Sequence, residues 1–424
     1  MTSMANEAAF AAPIRAGRVL FAHDHRFIPA EGAVWSEQQF EAALWTRYLA
    51  HFEAVTVVGR RGAMPEGRGT AMLERSSAPD VDFALLPNLS SLRGMLRARG
   101  PARERMRALV ADCDAVIARL PSEIGLLAVA EARAACKPWA VEVVGCPYDG
   151  MSNYGSLAGR LYAPLAMRRM QRAVAASDHA IYVTRNFLQD RYPSSAVNTT
   201  GVSDVILESV DEEVLVRRLI REQRHAQAEE RASAAPLRLG LIGTLRGRFK
   251  GIQSLIEALA ACGDALPEWQ LHILGGGDPV PWQEAARAAG LGERVRFDGT
   301  LPAGEAVFRW LDEIDIYLQP SLKEGLPRAL VEAMSRGCPA IASSVAGIPE
   351  LLPQEDLMAP GDAAALAELL QRRLDNAAWR RDRARRNWEV ACCFRSDLLA
   401  ERRDRFWRRF AAAARASAPR EAAE

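Results

Sequence analysis

Cysteine is scarce and poorly arranged for chemistry: the residues at 113, 136, 146, 262, 338, 392 and 393 include no C-x-x-C pair. The adjacent Cys392 and Cys393 suit neither a zinc knuckle nor an easy disulfide, so reduced thiols in a cytosolic protein are expected. No window approaches the ~20 apolar residues of a membrane span. The first residues, MTSMANEAAFAAPIRAG, carry Glu7 early and an apolar run only from Ala8 to Ala12, so no secretory leader is expected. An excess of one charge is also missing. The 54 basic and 53 acidic side chains leave +1, so no global field recruits nucleic acid, and no nucleic-acid partner is expected. Internal repeats at solenoid spacing and low-complexity segments are absent as well.

What is present is ordinary globular material, 49% hydrophobic and 25% charged, in a chain of 424 residues that is too long for one core. Short apolar runs alternate with amphipathic helical stretches, the pattern of parallel sheets flanked by helices. In the first half, strands are expected at Arg18–Ala22, Ala54–Gly59, Ala84–Pro87, Ala115–Ala118, Ala140–Val144 and Ala180–Val183. Helices are expected at Ser36–Ala50, Arg103–Ala111, Ser122–Ala135 and Ser156–Ala176. Asp211 to Pro236 is dense in Glu, Arg, Gln and Ala and has no aromatic residue, which reads as a polar helix plus linker. A second series follows, with strands at Leu237–Ile242, Gln270–Leu274, Val295–Phe297, Ile314–Leu318, Pro339–Ala342 and Asp356–Met358. An α/β fold of two doubly wound Rossmann-like domains is therefore expected. The first spans 1–205, with the C-terminal helix 393–424 packing back on it, and the second spans 206–392. Ligands of such sheets lie at the carboxyl ends of the strands.

The most informative segment runs Pro320-Ser-Leu-Lys-Glu-Gly-Leu-Pro-Arg-Ala-Leu-Val-Glu-Ala-Met-Ser-Arg-Gly337, directly after a strand. Pro327 suits a first helical turn, which puts Glu324 in the loop ahead of the helix and Glu332 roughly 8 Å along its axis. Between them the backbone from Gly325 through Leu326 and Pro327 to Arg328 forms a helix start, a ready anion site. A carboxylate, a phosphate cradle and a second carboxylate thus stand in line, as a nucleotide sugar requires for its sugar hydroxyls, diphosphate and ribose. The plainer alternative makes Glu324 a helix cap and Glu332 a solvated helix residue.

The segment resembles the E-x7-E signature of retaining GT-B glycosyltransferases, especially glycosyltransferase family 4. Pro320, Ser321, Glu324, Gly325, Pro327, Glu332, Ala333, Met334, Gly337, Pro339, Ile341 and Ala342 match in register. Gly347-Ile-Pro-Glu-Leu351 is similar to the family's following segment. The resemblance is close from about Leu237 to Asp375 and looser before that. It implies two domains facing across a cleft, with the nucleotide sugar held by the second.

It also implies a phosphate-binding basic pair after that domain's first strand. Here the loop reads Leu241-Ile-Gly-Thr-Leu-Arg-Gly-Arg-Phe-Lys-Gly251. Lys250 would hold the donor phosphates beside Gly243. Thr244 replaces the family's arginine, so Arg246 or Arg248 would supply the second charge, with Arg248 preferred as the nearer to Lys250. A solvated basic loop is the alternative. Gly275-Gly-Gly277 could be a simple turn. Val295-Arg-Phe-Asp-Gly299 resembles the family's base-reading segment, which implicates Phe297 and Gly299 through their backbone without fixing the base.

In the first half, His23-Asp-His-Arg-Phe-Ile-Pro-Ala-Glu-Gly32 follows the first strand. Gly32 is the candidate for the family's glycine near the donor phosphate, and His23, Asp24, His25 and Arg26 would face the cleft. Two histidines one residue apart rarely make a metal site, and no metal is expected. The family's sugar-approaching histidine has no counterpart between Val144 and Gly155, where Asp149 is the candidate instead. The Arg-rich stretch Ser91 to Arg107 would suit either an anionic membrane surface or water. Arg402 to Phe410 is expected on the first domain.

The resemblance implies a retaining transferase that moves a sugar from a nucleoside diphosphate to a hydroxyl of a lipid-linked or polysaccharide glycan, without a cofactor. It would be cytoplasmic or peripheral at the inner face of a membrane. Glu324, Lys250, Arg248 and Asp149 would carry the chemistry. A nucleotide-sugar epimerase and a non-catalytic nucleotide-sugar-binding partner are the alternatives.

Overall fold

The structure, a computed structural model, describes residues 15–37, 40–64, 69–70, 73–88, 92–153, 157–230 and 235–417. The leader reading up to Ile14, Ser91 at the head of the basic stretch, and Tyr154 and Gly155 lie outside the described residues. The chain divides into two compact units. The first comprises residues up to Val183, Leu188–Gly201 and Arg402 onward, and the second comprises Thr184–Phe187 and Val202–Glu401.

The first unit holds strands β1 (Ala16–Ala30), β2 (Ala33–Ser36), β3 (Phe52–Arg61), β4 (Glu74–Arg75), β5 (Val81–Leu86), β6 (Ala115–Leu120), β7 (Trp139–Val143), β8 (His179–Tyr182) and β9 (Asn198–Gly201). Its parallel body runs β5-β3-β1-β6-β7-β8-β9. Its helices are α1 (Thr46–Leu49), α2 (Leu92–Ala111), α3 (Glu123–Ala134), α4 (Pro147–Asn153) and α5 (Leu157–Ala175), with the short α6 (Phe187–Arg191) following β8.

β1 outruns its expected end at Ala22 because its last residues fold back into a hairpin, with Ala30 opposite Ala33. The two-residue turn needs positive φ at both positions, and Glu31 (51°) and Gly32 (70°) supply it. The helix expected over Ser36–Ala50 is not formed as such. Ser36 closes β2, and among the described residues of this stretch only a 3₁₀ turn at Ala42–Trp45 and the single turn of α1 are helical. Aromatic packing overrides helix propensity here. Trp45 and Tyr48 bury around Phe21 at 5.4 and 5.3 Å between ring centres, and Trp45 Nε1 donates to Ser76 O at 2.8 Å.

The second unit holds α7 (Glu212–Glu230), β10 (Leu237–Ile242), α8 (Ile252–Cys262), β11 (Trp269–Leu274), α9 (Val280–Ala288), β12 (Val295–Gly299), α10 (Glu305–Asp312), β13 (Ile316–Gln319), α11 (Arg328–Ser335), β14 (Ala340–Ser343), β15 (Leu357–Met358), α12 (Ala363–Arg373) and α13 (Ala377–Cys392). The last helix, α14 (Ser396–Ser417), continues into the first unit at Arg402. There Trp407 and Phe410 pack on Tyr48 and Phe52 at 5.3 and 5.9 Å.

The strand order is β12-β11-β10-β13-β14-β15, parallel throughout, which is the doubly wound 3-2-1-4-5-6 order. Period-two alternation builds a core on each face. Leu237, Leu239, Leu241, Ile316 and Leu318 bury with Leu255 of α8 and Leu370 of α12. Tyr317, Ala340 and Ala342 bury with Leu330 and Met334 of α11.

α7 is more than a polar linker. Arg218 is buried and donates to the carbonyls of Leu311 (2.9 Å) and Arg336 (3.2 Å), and Glu222 pairs with the buried Arg380 at 2.8 Å.

Candidate functional site

In a 3-2-1-4-5-6 sheet the order reverses between the first and fourth strands, and a crevice opens at their carboxyl ends. In the second unit these strands are β10 and β13. The loop after β10 carries Lys250, and the loop after β13 carries Glu324. Their charged ends meet, with Lys250 Nζ 2.6 Å from Glu324 Oε1. The same oxygen accepts from Gln319 Nε2 at 2.9 Å and Ser321 Oγ at 2.7 Å. Glu324 therefore does not cap the helix. It is held by its own strand end and by the lysine across the crevice. The Lys250 side chain lies over Gly243, where an added Cβ would come within 2.6 Å of its Cγ.

The two loops are drawn together at Gly251, whose φ is +70°. A Cβ there would stand 1.8 Å from the Pro320 carbonyl oxygen. Leu322 N donates to Phe249 O at 2.8 Å beside it. Gly251 is also the N-cap of α8, and Pro327 is the N-cap of α11, and neither helix start receives a capping hydrogen bond from a side chain. Two helix N-termini with open N–H groups thus flank the Lys250–Glu324 pair. Such ends attract anions through their dipoles and free donors. Pro327 sits one position earlier than expected, in extended conformation (ψ 114°), and has no N–H, so the donors are Gly325, Leu326 and the first turn from Arg328.

Glu332 lies on α11, half-buried, and its carboxylate has no hydrogen-bond partner among the described residues. Burial raises its carboxyl pKa above the usual range, and nearby Arg328 opposes that rise. A half-buried carboxylate without a donor is a good acceptor for a pair of hydroxyls.

Among the basic candidates, Arg246 and Arg248 are exposed on the β10–α8 loop. Thr244 ties that loop to the next: its Oγ1 donates to Gly276 O at 3.3 Å and accepts from Arg246 N at 3.2 Å. On edge strand β12, Phe297 packs half-buried on the core and Gly299 O accepts from Gly275 N at 2.7 Å. Reasoning from residues alone missed Tyr317 and Gln319, which extend the chain of bonds: Tyr317 O–H donates to Gln319 Oε1 at 2.8 Å. Their signal was two polar residues alternating through a buried strand. A further signal was lysine itself, which occurs only at 137, 250 and 323, so two of the three flank this crevice.

The first-unit candidates behave differently. Gly32 occupies the hairpin turn with a φ of +70°, and a Cβ there would meet no protein atom within 4 Å. His23 stacks on Phe40 with its Nδ1 3.0 Å from Arg119 O, and His25 Nε2 is 2.7 Å from Ser36 Oγ. Burial drives both imidazoles down to about 4. Asp24 accepts from the backbone N–H groups of Glu123 (2.7 Å) and Ile124 (3.1 Å) at the start of α3. Arg26 pairs with Glu37. Asp149, in the first turn of α4, pairs with Arg191 at 3.1 Å. No group of three or more His, Cys, Asp or Glu side chains that could hold a metal occurs among the described residues.

Residues 236–376, the segment containing this crevice, match the family described as "Glycosyl transferases group 1". Protein CapJ of Staphylococcus aureus is 26% identical over 372 residues, covering 87% of this chain and 90% of CapJ. The amylovoran biosynthesis glycosyltransferase AmsK of Erwinia amylovora is 39% identical over 147 residues, 32% of this chain and 36% of AmsK. Among solved structures, sucrose-phosphate synthase from Thermosynechococcus elongatus superimposes with a TM-score of 0.60 at 18% identity, covering 94% of this chain and 100% of that one. HepE of Anabaena, solved in complex with UDP, gives a TM-score of 0.59 at 15% identity over 91% and 97%. These likenesses show the fold: two Rossmann-like domains of the GT-B type.

Proposed function

We propose that the chain, whose residues 236–376 match the glycosyl transferases group 1 family, transfers a sugar from a nucleoside-diphosphate donor to a hydroxyl of a lipid-linked or polysaccharide glycan, with retention of configuration. The observation that carries this reading is the Lys250–Glu324 contact at the β10/β13 reversal, flanked by two helix starts without side-chain caps. HepE was solved with UDP, and AmsK is named for amylovoran biosynthesis, which supports a nucleotide donor and a surface polysaccharide as product.

In the reaction the bond between the anomeric carbon and the diphosphate oxygen breaks, and negative charge gathers on the diphosphate. Lys250, an arginine of the same loop and the N–H groups at the α8 and α11 starts stabilise that charge. Once Lys250 turns to phosphate, Glu324 accepts from the sugar hydroxyls, still held by Gln319 and Ser321. Glu332 accepts from the ribose diol. The acceptor oxygen bonds to the anomeric carbon on the face the diphosphate leaves, and its proton passes to a diphosphate oxygen. No protein nucleophile and no metal are required. The acceptor is met at the cytoplasmic face of a membrane.

The test is a thermal-shift screen of nucleoside diphosphates and their sugars, since a bound ligand raises apparent stability by mass action. The stabilising donor is then turned over with a lipid-linked acceptor and the product's anomeric configuration read by NMR. Conversion of the donor without an acceptor would favour an epimerase, and stabilisation by no nucleotide would end the donor-site reading.

A further inference from the structure

Helix α5 has a composition unlike its neighbours. Over Leu157–Ala175 it carries Arg160, Arg168, Arg169 and Arg172 and no acidic residue, in a chain whose net charge is only +1. Its inner face, with Ala163, Ala166, Met170 and Val174, is buried. On its outer face Leu157, Leu161 and Leu165 are 78%, 82% and 52% exposed. Residues four apart share one face of a helix, so these leucines form a single apolar ridge. The exposed Ala158 and Pro164 extend it.

Cations lie beside the ridge. Arg168 and Arg172 are exposed and have no partner among the described residues, whereas Arg169 is occupied by Glu123 at 2.7 and 2.9 Å. Arg172 joins Arg99 and Arg133 in lining a cavity of about 300 Å³. A larger cavity of about 710 Å³ lies between α3, α4 and α5 beside residues such as Pro121, Met151 and Met170. Leu161 lines it too, so apolar surface runs from the ridge inward.

We propose that the outer face of α5 docks on an anionic lipid bilayer. The leucines enter the acyl boundary, and Arg160, Arg168 and Arg172 meet the headgroup phosphates. An apolar stripe flanked by basic residues is what an interfacial helix requires. A protein partner fits less well, because such interfaces need directed hydrogen bonds at intervals. Between Leu157 and Met170 the only non-basic polar side chain is Tyr162, and its hydroxyl already donates to Glu123 Oε1 at 3.0 Å. The surface extends the reading of a membrane-borne acceptor and does not depend on the donor chemistry of the second unit.

The experiment is co-sedimentation of the full chain with phosphatidylcholine vesicles, with and without phosphatidylglycerol, at two salt concentrations. The parent is expected to sediment only with anionic vesicles. L157S/L161S/L165S should lose about tenfold or more in partitioning, because each exposed leucine contributes apolar burial on insertion. R168Q/R172Q should bind more weakly and with less dependence on salt. All these positions are exposed, so melting curves should stay at the parent value, and nucleotide-induced thermal shifts should be unchanged. Loss of nucleotide shifts in the parent would therefore indict the donor reading and leave this one standing. A parent that stays in the supernatant with phosphatidylglycerol, or a leucine variant that sediments like the parent, overturns the proposal. So does light scattering that shows a parent dimer dispersed by the leucine substitutions, because the ridge would then be a self-interface.

Discussion

Lys250 Nζ and Glu324 Oε1, 74 positions apart in sequence, stand 2.6 Å apart at the reversal point of the second sheet. The contact places one positive and one negative group where the diphosphate and sugar of a donor would part. The exposures of the two side chains, 23% and 10%, leave the lysine the more accessible of the pair. On the proposed reading, that difference would let a phosphate compete for Lys250 while Glu324 stays in place.

Lys250→Ala is expected to damage turnover more than sugar recognition, because the lysine serves charge that grows only as the bond breaks. A loss of roughly 10²–10³ in kcat is expected for one such preorganised donor. Glu324→Ala should lower kcat and also blur discrimination among donor sugars. Steady-state kinetics of both variants across several donors decides the matter, and a Lys250→Ala enzyme with normal kcat would assign the phosphate site to Arg246 and Arg248 alone.

Glu332→Ala should weaken nucleoside diphosphate binding by about 1.5–3 kcal/mol, roughly ten- to a hundredfold in Kd. Burial favours the neutral acid, so Glu332 takes up its proton at a higher pH than an ordinary glutamate. The protonated form accepts hydroxyls poorly. Affinity should therefore fall as pH drops through that raised pKa, and Glu332→Gln should flatten the dependence. Calorimetric titrations at several pH values provide the check, with a pH-independent wild type as the contrary result.

Gly251→Ala should be costly despite adding one methyl. Its Cβ would meet the Pro320 carbonyl at 1.8 Å, and its φ of +70° is unfavourable for alanine. A loss of about 1–3 kcal/mol in stability and a larger relative loss of activity are expected, since the β10 and β13 loops must separate. Thermal melts and donor binding on the same preparation would show it.

Activity should survive chelation of divalent cations, because on the proposed reading Lys250 and the helix starts would take the diphosphate charge. An EDTA-treated enzyme restored only by Mg²⁺ or Mn²⁺ would overturn this expectation.

The first unit should be sensitive to acid. His23 and His25 titrate near 4 when folded, against about 6.5 when exposed. Between those values the unfolded chain binds protons that the folded one refuses, so stability falls as pH drops from about 6.5 towards 4. Each histidine contributes at most about 3 kcal/mol to that loss. Denaturant melts of wild type and His23→Phe across this range should diverge, and parallel curves would remove His23 as a cause.

Much of this was legible in the sequence for local reasons. Strand Leu237–Ile242 was read to the residue, because a strand buried on both faces is a continuous apolar run bounded by breakers. Glu324 stood out in the loop ahead of a helix start and gained weight from the resemblance of its segment to the family signature, and Lys250 was singled out by that resemblance. Helix formation over Ser36–Ala50 was misjudged because propensity was outweighed by the long-range burial of Trp45 and Tyr48, which no local window contains. The end of β1 was placed too early for a similar reason, since the residues after Ala22 do not disclose that the strand continues into a hairpin with β2.

The sequence by itself determined the alternation of strands and helices, the order of the loops and the chemical kinds of residue each loop carries, because these follow from periodicity and from what neighbouring residues can do. Only the tertiary structure decided which of those loops meet. The 3-2-1-4-5-6 order brings β10 beside β13, and the Gly251–Pro320 approach closes the gap until Lys250 reaches Glu324. It also decided that Arg218 of α7 turns inward while the leucines of α5 face water, since burial depends on what packs against a helix as well as on the residues the helix carries.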